Sequence, residues 1–429
     1  MRRSAARGAP AWAWRAFLFA AILAGEFAVI EAALRWHGGS EAAPGFQSLF
    51  VQDRGLGIHR LAPGARTRFT TREFDTEIAI NDAGVRDDEP LGAKGPAERR
   101  LLVLGDSLVL SVQVPFEATF GERLEARLNE AGGPVRWRVV NGGVQGYGPI
   151  ECRLLFESLA DRVDPDVVLF TVFVGNDALE AADAVERAQA RGSALASARE
   201  DALRTLRRVV RRSMVLQMVR LRADLVLTRF GGSRATPERP LATYLADPPP
   251  EVARGLAATA DAVGTVARLA RQRGAATGIV LMPARFQLDD GDYGRLAAAV
   301  RGAGGTLVRD AATERFARAL APLGLPTIDL LPVLRAQPDP AGLFFRENVH
   351  LTPRGHRVVG DALARWLEVE GLVEGGPARR DPPAGAGHAG RDRAGAAPPA
   401  RTAAGMATPG SINRERGRDV RFAHPEPPR

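Results

Sequence analysis

The chain of 429 residues is long enough for two or three average domains, but its composition changes along its length, and one large folded domain is the better expectation. Its formal net charge of +8 sits at the two ends: residues 1–35 hold five Arg against two Glu, and residues 377–429 hold ten Arg against five acids. The stretch between is neutral, which argues against a nucleic-acid partner. The lone Cys152 excludes an internal disulfide framework, and with no Cys/His cluster at ligand spacing neither a metal nor another cofactor is expected.

Residues 1–40 read as a basic flank followed by an apolar stretch from Ala16 to Leu34, interrupted by Glu26 and Glu31. An acid at the centre of a span costs about 2.5–3.5 kcal/mol, so the span is marginal. An uncleaved N-terminal transmembrane anchor is the leading expectation, with a cleavable signal peptide or a buried helix as alternatives. Arg2, Arg3, Arg7 and Arg15 should stay in the cytoplasm, which puts the rest of the chain outside it, anchored to the membrane or secreted after cleavage.

Residues 41–374 carry the folded domain. Leu101–Leu104 form an apolar run that ends at Gly105-Asp106-Ser107, and Phe120, Leu124 and Leu128 then recur at helical spacing. Further apolar runs at 135–140, 166–174, 277–282 and 327–330 alternate with helical stretches near 251–272, 290–303 and 311–320. The pattern predicts an α/β three-layer sandwich, a central parallel sheet with helices on both faces and its site at the carboxyl ends of the strands. Residues 178–247 break the alternation and read as an inserted helical segment with a solvated Arg face, with a lid or a membrane-surface helix as the alternative. Residues 375–429, rich in Gly, Pro, Ala and Arg, read as a disordered tail.

Three strand ends carry groups suited to chemistry. Ser107 stands on a strand-to-helix turn where N–H groups gather, which suits a nucleophile as well as a plain helix cap. Gly146, in a loop of several glycines, can present an unobstructed N–H to an oxyanion or serve turn geometry alone. Asn176 can add an amide donor or form an Asx-turn. His350 precedes a helix that Thr352 and Pro353 should start, and its imidazole can take and return a proton near neutrality. Glu347, three residues earlier on the same loop, can hold the other ring nitrogen. His356 falls inside that last helix and reads as packing or solvent-facing.

The blocks Gly105-Asp106-Ser107, the Gly146 loop, Gly175-Asn176-Asp177 and Glu347-Asn348-Val349-His350 resemble, in order, the four blocks of SGNH (GDSL-like) hydrolases, over about residues 45–370. The likeness is nearest to bacterial members with an N-terminal membrane segment, which carry a stretch like Ile80-Asn81-Asp82-Ala83-Gly84-Val85-Arg86 before the nucleophile strand. The resemblance implies a flavodoxin-like sheet, Ser107 as nucleophile, His350 as base and an oxyanion hole of the Ser107 N–H, the Gly146 N–H and the Asn176 amide. The chain departs from the family at the acid, where Glu347 stands in place of the usual Asp; Asp339 is a weaker substitute, and a Ser-His dyad without an acid, as in some relatives, is the other alternative. The function expected is ester hydrolysis through an acyl-enzyme outside the cytoplasm, on a small-molecule, lipid or glycan ester. Acyl transfer to an envelope glycan by the same residues, and a catalytically silent envelope scaffold, are the alternatives.

Overall fold

Runs of Val, Leu and Phe with no polar face must be covered on both sides, and such runs make the centre of this molecule. The computed structural model describes residues 21–22, 25–33, 44–130, 132–190 and 239–373. Two antiparallel hairpins come first, β1 (Phe50–Asp53) with β2 (Ile58–Leu61) and β3 (Arg66–Thr70) with β4 (Asp75–Ala79). Five strands follow, β5 (Glu98–Gly105), β6 (Arg136–Gly143), β7 (Val167–Phe173), β8 (Ala276–Met282) and β9 (Thr327–Asp329). They form one parallel sheet in the order β6-β5-β7-β8-β9. The order reverses between β5 and β7, and the crevice outside the carboxyl ends of those two strands is where such a sheet binds its ligand.

The helices are α1 (Pro44–Gln47), α2 (Ser107–Leu110), α3 (Phe120–Asn129), α4 (Pro149–Val163), α5 (Asp177–Ala190), α6 (Pro250–Gln272), α7 (Asp290–Gly302), α8 (Ala311–Leu320), α9 (Leu330–Arg335) and α10 (Pro353–Val369). Side chains alternate across the sheet. Leu102, Leu104, Phe170 and Ile279 pack with residues of α4 and α6 on one face, and Leu101, Val103, Leu169 and Val280 pack with residues of α3, α9 and α10 on the other. The three-layer α/β architecture thus follows from strand-length apolar runs that alternate with amphipathic helices.

The exposed edge of the sheet is closed by side chains. Asn129 of α3 donates to the Trp137 carbonyl at 2.8 Å and accepts from the Trp137 N–H at 2.9 Å, and Glu125 accepts from the Val139 N–H at 2.7 Å. At the opposite edge β9 has only 3 residues.

The hairpins of residues 50–79 were not anticipated from the sequence. Their strands are short and mostly polar, with one or two inward residues each, such as Phe69 in β3 and Ile78 in β4. The expected span at Ala16–Leu34 lies partly outside the described residues. Residues 21–22 and 25–33 of it are helical, with Phe27, Val29 and Ile30 exposed, and no helix among the described residues is long and apolar enough to cross a membrane.

Of the segment read as an insertion, residues 191–238 lie outside the described residues, as does the tail 375–429. What precedes and follows 191–238 packs into the domain: a Cβ on Gly255 of α6 would fall 1.7 Å from the Ala178 carbonyl oxygen of α5, so the two helices touch backbone to backbone, and Tyr244 is fully buried.

Candidate active site

The turn that carries Ser107 is fastened by three side chains. Asp106 is buried and caps α2, its carboxylate accepting the Leu108 N–H at 2.9 Å. Asn141 at the end of β6 donates to the Val109 carbonyl at 2.7 Å and accepts the Gly143 N–H at 3.0 Å. Arg86, buried, donates to the carbonyls of Leu110 at 3.0 Å, Val114 at 2.7 Å and Ser111. Burial pushes its guanidinium down to about 10, and it remains a cation at neutral pH. The stretch from Ile80 to Arg86 thus has a physical role: Asn81 accepts the N–H groups of Ala83 and Val85, and Gly84 takes a φ of 76°. That turn delivers Arg86 to the carbonyls that follow Ser107. Because α2 is a single turn of 4 residues, the dipole near Ser107 is that of a few peptides.

His350 reaches this turn from across the sequence. Its Nε2 lies 2.8 Å from Ser107 Oγ, and its Nδ1 lies 2.5 Å from Asn348 Oδ1. An amide oxygen only accepts, so Nδ1 carries the proton and Nε2 is free to accept from the serine hydroxyl. Burial pushes the imidazole down to about 4, which keeps it neutral at physiological pH, with Nε2 unprotonated.

Glu347 does not take the position predicted for it. Its side chain is exposed, and the group against Nδ1 is Asn348. The reason lies in the backbone: the N–H groups of Arg346, Glu347 and Asn348 all turn toward the carboxylate of Glu73, at 2.7 to 3.1 Å. That arrangement directs the side chain of residue 348 toward the imidazole and leaves residue 347 facing solvent. Asp339 is also elsewhere, in a left-handed turn beside Arg354. His356 is buried and accepts the Phe120 N–H on Nδ1 at 3.2 Å while stacking on the Phe120 ring, so it serves packing and not solvent.

The two remaining predicted groups lie in the loops that flank Ser107. Val144, two residues before Gly146, donates to the Gly105 carbonyl at 3.1 Å, which starts the Gly146 loop beside the end of β5. Gly146 is exposed, with a φ of 70° that favours glycine. Asn176 follows β7, and its amide donates to Glu180 Oε1 at 2.8 Å, which engages one of the two N–H groups of the amide. Asp106 and Asp177, both buried, and the half-buried Glu180 form an acidic group beside it. Burial raises all three, and the proximity of Asp106 adds to the rise in Asp177 and in Glu180, which reaches about 8. A protonated Glu180 at neutral pH puts no anion beside Asn176. Asn141, Asn348, Glu73 and Glu180 were not legible as site residues, because each acts through a contact set by the folded backbone.

Residues 244–383 match the family model described as "SGNH hydrolase-like domain, acetyltransferase AlgX", a match that includes His350 and ends after α10. Over those residues the chain resembles an SGNH hydrolase-like domain. No curated protein sequence matches it. Among solved structures it is similar to TesA, with 15% identity over 63% of this chain and 99% of that one and a TM-score of 0.36. It is also similar to the lipase/acylhydrolase from Enterococcus faecalis, with 12% identity over 63% and 96% and a TM-score of 0.34. A catalytic mutant of Axe2, an acetylxylan esterase from Geobacillus stearothermophilus, gives 13% identity over 64% and 96% and a TM-score of 0.35.

Proposed function

We propose that the protein is a serine-dependent acyl-transfer enzyme that forms an acyl-enzyme on Ser107 and releases it to water, acting on an ester outside the cytoplasm. The single observation that carries the reading is the 2.8 Å approach of His350 Nε2 to Ser107 Oγ, made by residues 243 apart in the chain.

In the forward step Ser107 Oγ attacks the ester carbonyl carbon while its proton passes to His350 Nε2. The imidazolium that forms keeps its Nδ1–H on Asn348. Collapse of the tetrahedral intermediate breaks the bond to the alkoxy group, which takes the proton from Nε2 as it leaves. Water then repeats the sequence on the acyl-enzyme and returns the proton to Ser107. The Ser107 and Gly146 N–H groups and the second N–H of the Asn176 amide are the donors available to the oxyanion. With a neutral amide on Nδ1 in place of a carboxylate, the imidazolium has less support than in a Ser-His-acid triad.

One observation favours a second acceptor. The family model over residues 244–383 is described as an acetyltransferase, so a sugar hydroxyl taking the acyl group in place of water is the alternative reading. An N-terminal membrane anchor at Ala16–Leu34 belongs to the same proposal and is supported by the exposed apolar residues Phe27, Val29 and Ile30.

Labelling with a fluorophosphonate probe tests the chemistry without knowledge of the substrate. Modification at Ser107, absent in Ser107→Ala, is expected; an unmodified serine after prolonged exposure overturns the reading. Release of acetate from an aryl acetate, with and without an added oligosaccharide, then separates hydrolysis from transfer.

A further inference from the structure

The loop that carries His350 is held by a residue outside the sheet. Residues 346–350 belong to no helix or strand, and the loop is closed at its neck by the Phe345 N–H on the His350 carbonyl at 2.9 Å and the Thr352 N–H on the Leu343 carbonyl at 2.9 Å. Three successive N–H groups, those of Arg346, Glu347 and Asn348, converge on its outer side. Such a concavity of backbone donors binds an anion.

The anion is Glu73, from the turn between β3 and β4. Oε1 accepts from Arg346 N at 2.7 Å and Glu347 N at 3.0 Å, and Oε2 accepts from Glu347 N at 3.1 Å and Asn348 N at 2.7 Å. Glu73 is itself fixed. Thr71 Oγ1 accepts the N–H groups of Glu73 at 3.1 Å and Phe74 at 3.2 Å, and the Phe74 ring lies 5.5 Å from that of Phe345, directly before the loop. From the other side Arg285 donates to the Arg346 carbonyl at 2.9 Å.

The chain of contacts runs from Glu73 Oε2 to the Asn348 backbone, from the Asn348 side chain to His350 Nδ1, and from His350 Nε2 to Ser107. We infer that Glu73 is the positioning residue of the catalytic base: its carboxylate sets the backbone of residues 346–348 so that the Asn348 amide oxygen selects the Nδ1–H tautomer of His350. It does at one remove what the acid of a Ser-His-acid triad does by contact. The role is specific to a carboxylate, since two equivalent oxygens are needed to take all three donors; a primary amide offers one oxygen and turns its NH2 toward the remaining N–H. The inference rests on the proposed serine chemistry for its kinetic consequence and on geometry alone for its effect on the imidazole.

The experiment uses the full chain as Glu73→Gln, Glu73→Asp, Asn348→Ala and the Glu73→Gln/Asn348→Ala double variant, read in two ways. Long-range proton–nitrogen spectra of histidine-labelled protein report the His350 tautomer whether or not the serine reacts. The wild type is expected to show Nδ1–H alone, and Glu73→Gln a mixture of tautomers. Aryl-ester turnover and the rate of fluorophosphonate inactivation report the chemistry. Glu73→Gln is expected to lower kcat about tenfold with KM unchanged, Glu73→Asp to recover part of the loss, and Glu73→Gln to cost nothing further on the Asn348→Ala background.

An unchanged tautomer and a rate within about twofold of wild type in Glu73→Gln overturn the inference. So does a loss that adds in full to that of Asn348→Ala, which a merely structural role would give. A tautomer shift in Glu73→Gln together with a wild-type serine that never reacts leaves the positioning intact and overturns the proposed function instead.

Discussion

The two halves of the site are built on different principles. The Ser107 half is part of the core: Leu108, Val109 and Leu110 are buried, and the turn is tied by Asp106, Asn141 and Arg86 to elements on either side of it. The His350 half is an irregular loop with Arg346, Glu347 and Val349 exposed, pinned by the Glu73 carboxylate of a distant hairpin and by the Arg285 guanidinium. Rigidity on the Ser107 side comes from burial and many bonds, and on the His350 side from a few charge-assisted ones. Disturbing the first should therefore act mainly on folding, and disturbing the second mainly on turnover.

The sharpest break between the two is a comparison of two histidines 6 positions apart on one segment. His350→Ala is expected to lower ester turnover by about 10³-fold or more, with little change in the unfolding midpoint. His356→Ala strands the buried Phe120 N–H and leaves a small void, and should cost about 2 kcal/mol of stability while turnover per folded molecule stays near wild type. Denaturant unfolding and steady-state rates on the same preparations decide this, and equal losses of turnover in both would refute the assignment of the base.

Arg86→Met is the next largest perturbation, on the nucleophile side. It removes the donor to three buried carbonyls after Ser107, and about 3 kcal/mol of stability should go with it, read as a lower denaturant midpoint at unchanged slope. On the base side a pair of neighbours separates contact from proximity. Asn348→Ala should reduce turnover about tenfold or more, whereas Glu347→Ala should stay within about twofold, and the reverse order would restore Glu347 as partner of the imidazole.

The smallest effect concerns pH. Glu180 is held protonated by burial and by Asp106, up to about 8 against an ordinary 4.5. Between those values the folded chain keeps a proton that the unfolded chain has released, so stability is full below pH 4.5 and declines as pH rises toward 8. Glu180→Gln removes that decline. Between pH 6 and pH 8.5 the wild-type Tm should fall by about 2–4 °C more than that of Glu180→Gln. Parallel curves would mean that Glu180 is charged in the fold.

What could be read in advance divides along the same line. The parallel sheet was legible because each of its longer strands is a run of apolar residues, and Ser107 and His350 were legible because they stand where such a sheet presents ligands, at the end of β5 and directly before α10. Arg86 belonged to a recognisable stretch, but its role as a clamp depends on the carbonyls of residues 110–114 turning toward it, which no local pattern records. Glu347 drew attention because three residues separate it from His350, yet spacing does not determine which side chain of a loop faces inward. Glu73, more than 270 positions upstream, determines that here. The hairpins of residues 50–79 escaped notice because strands with so few inward residues lack a continuous apolar signal.

The side chains along β6 have a consequence for the protein in solution. A sheet margin with open N–H and C=O groups is a template for strand addition by another copy, and proteins protect such margins by covering them or keeping them short. Asn129 and Glu125 occupy the hydrogen-bonding positions that an incoming strand would need at Trp137 and Val139, and on the far margin the 3 residues of β9 offer too short a template. Replacing Asn129 and Glu125 by Ala would open the β6 margin while leaving Ser107 and His350 in place, and the cost would appear as self-association at high concentration.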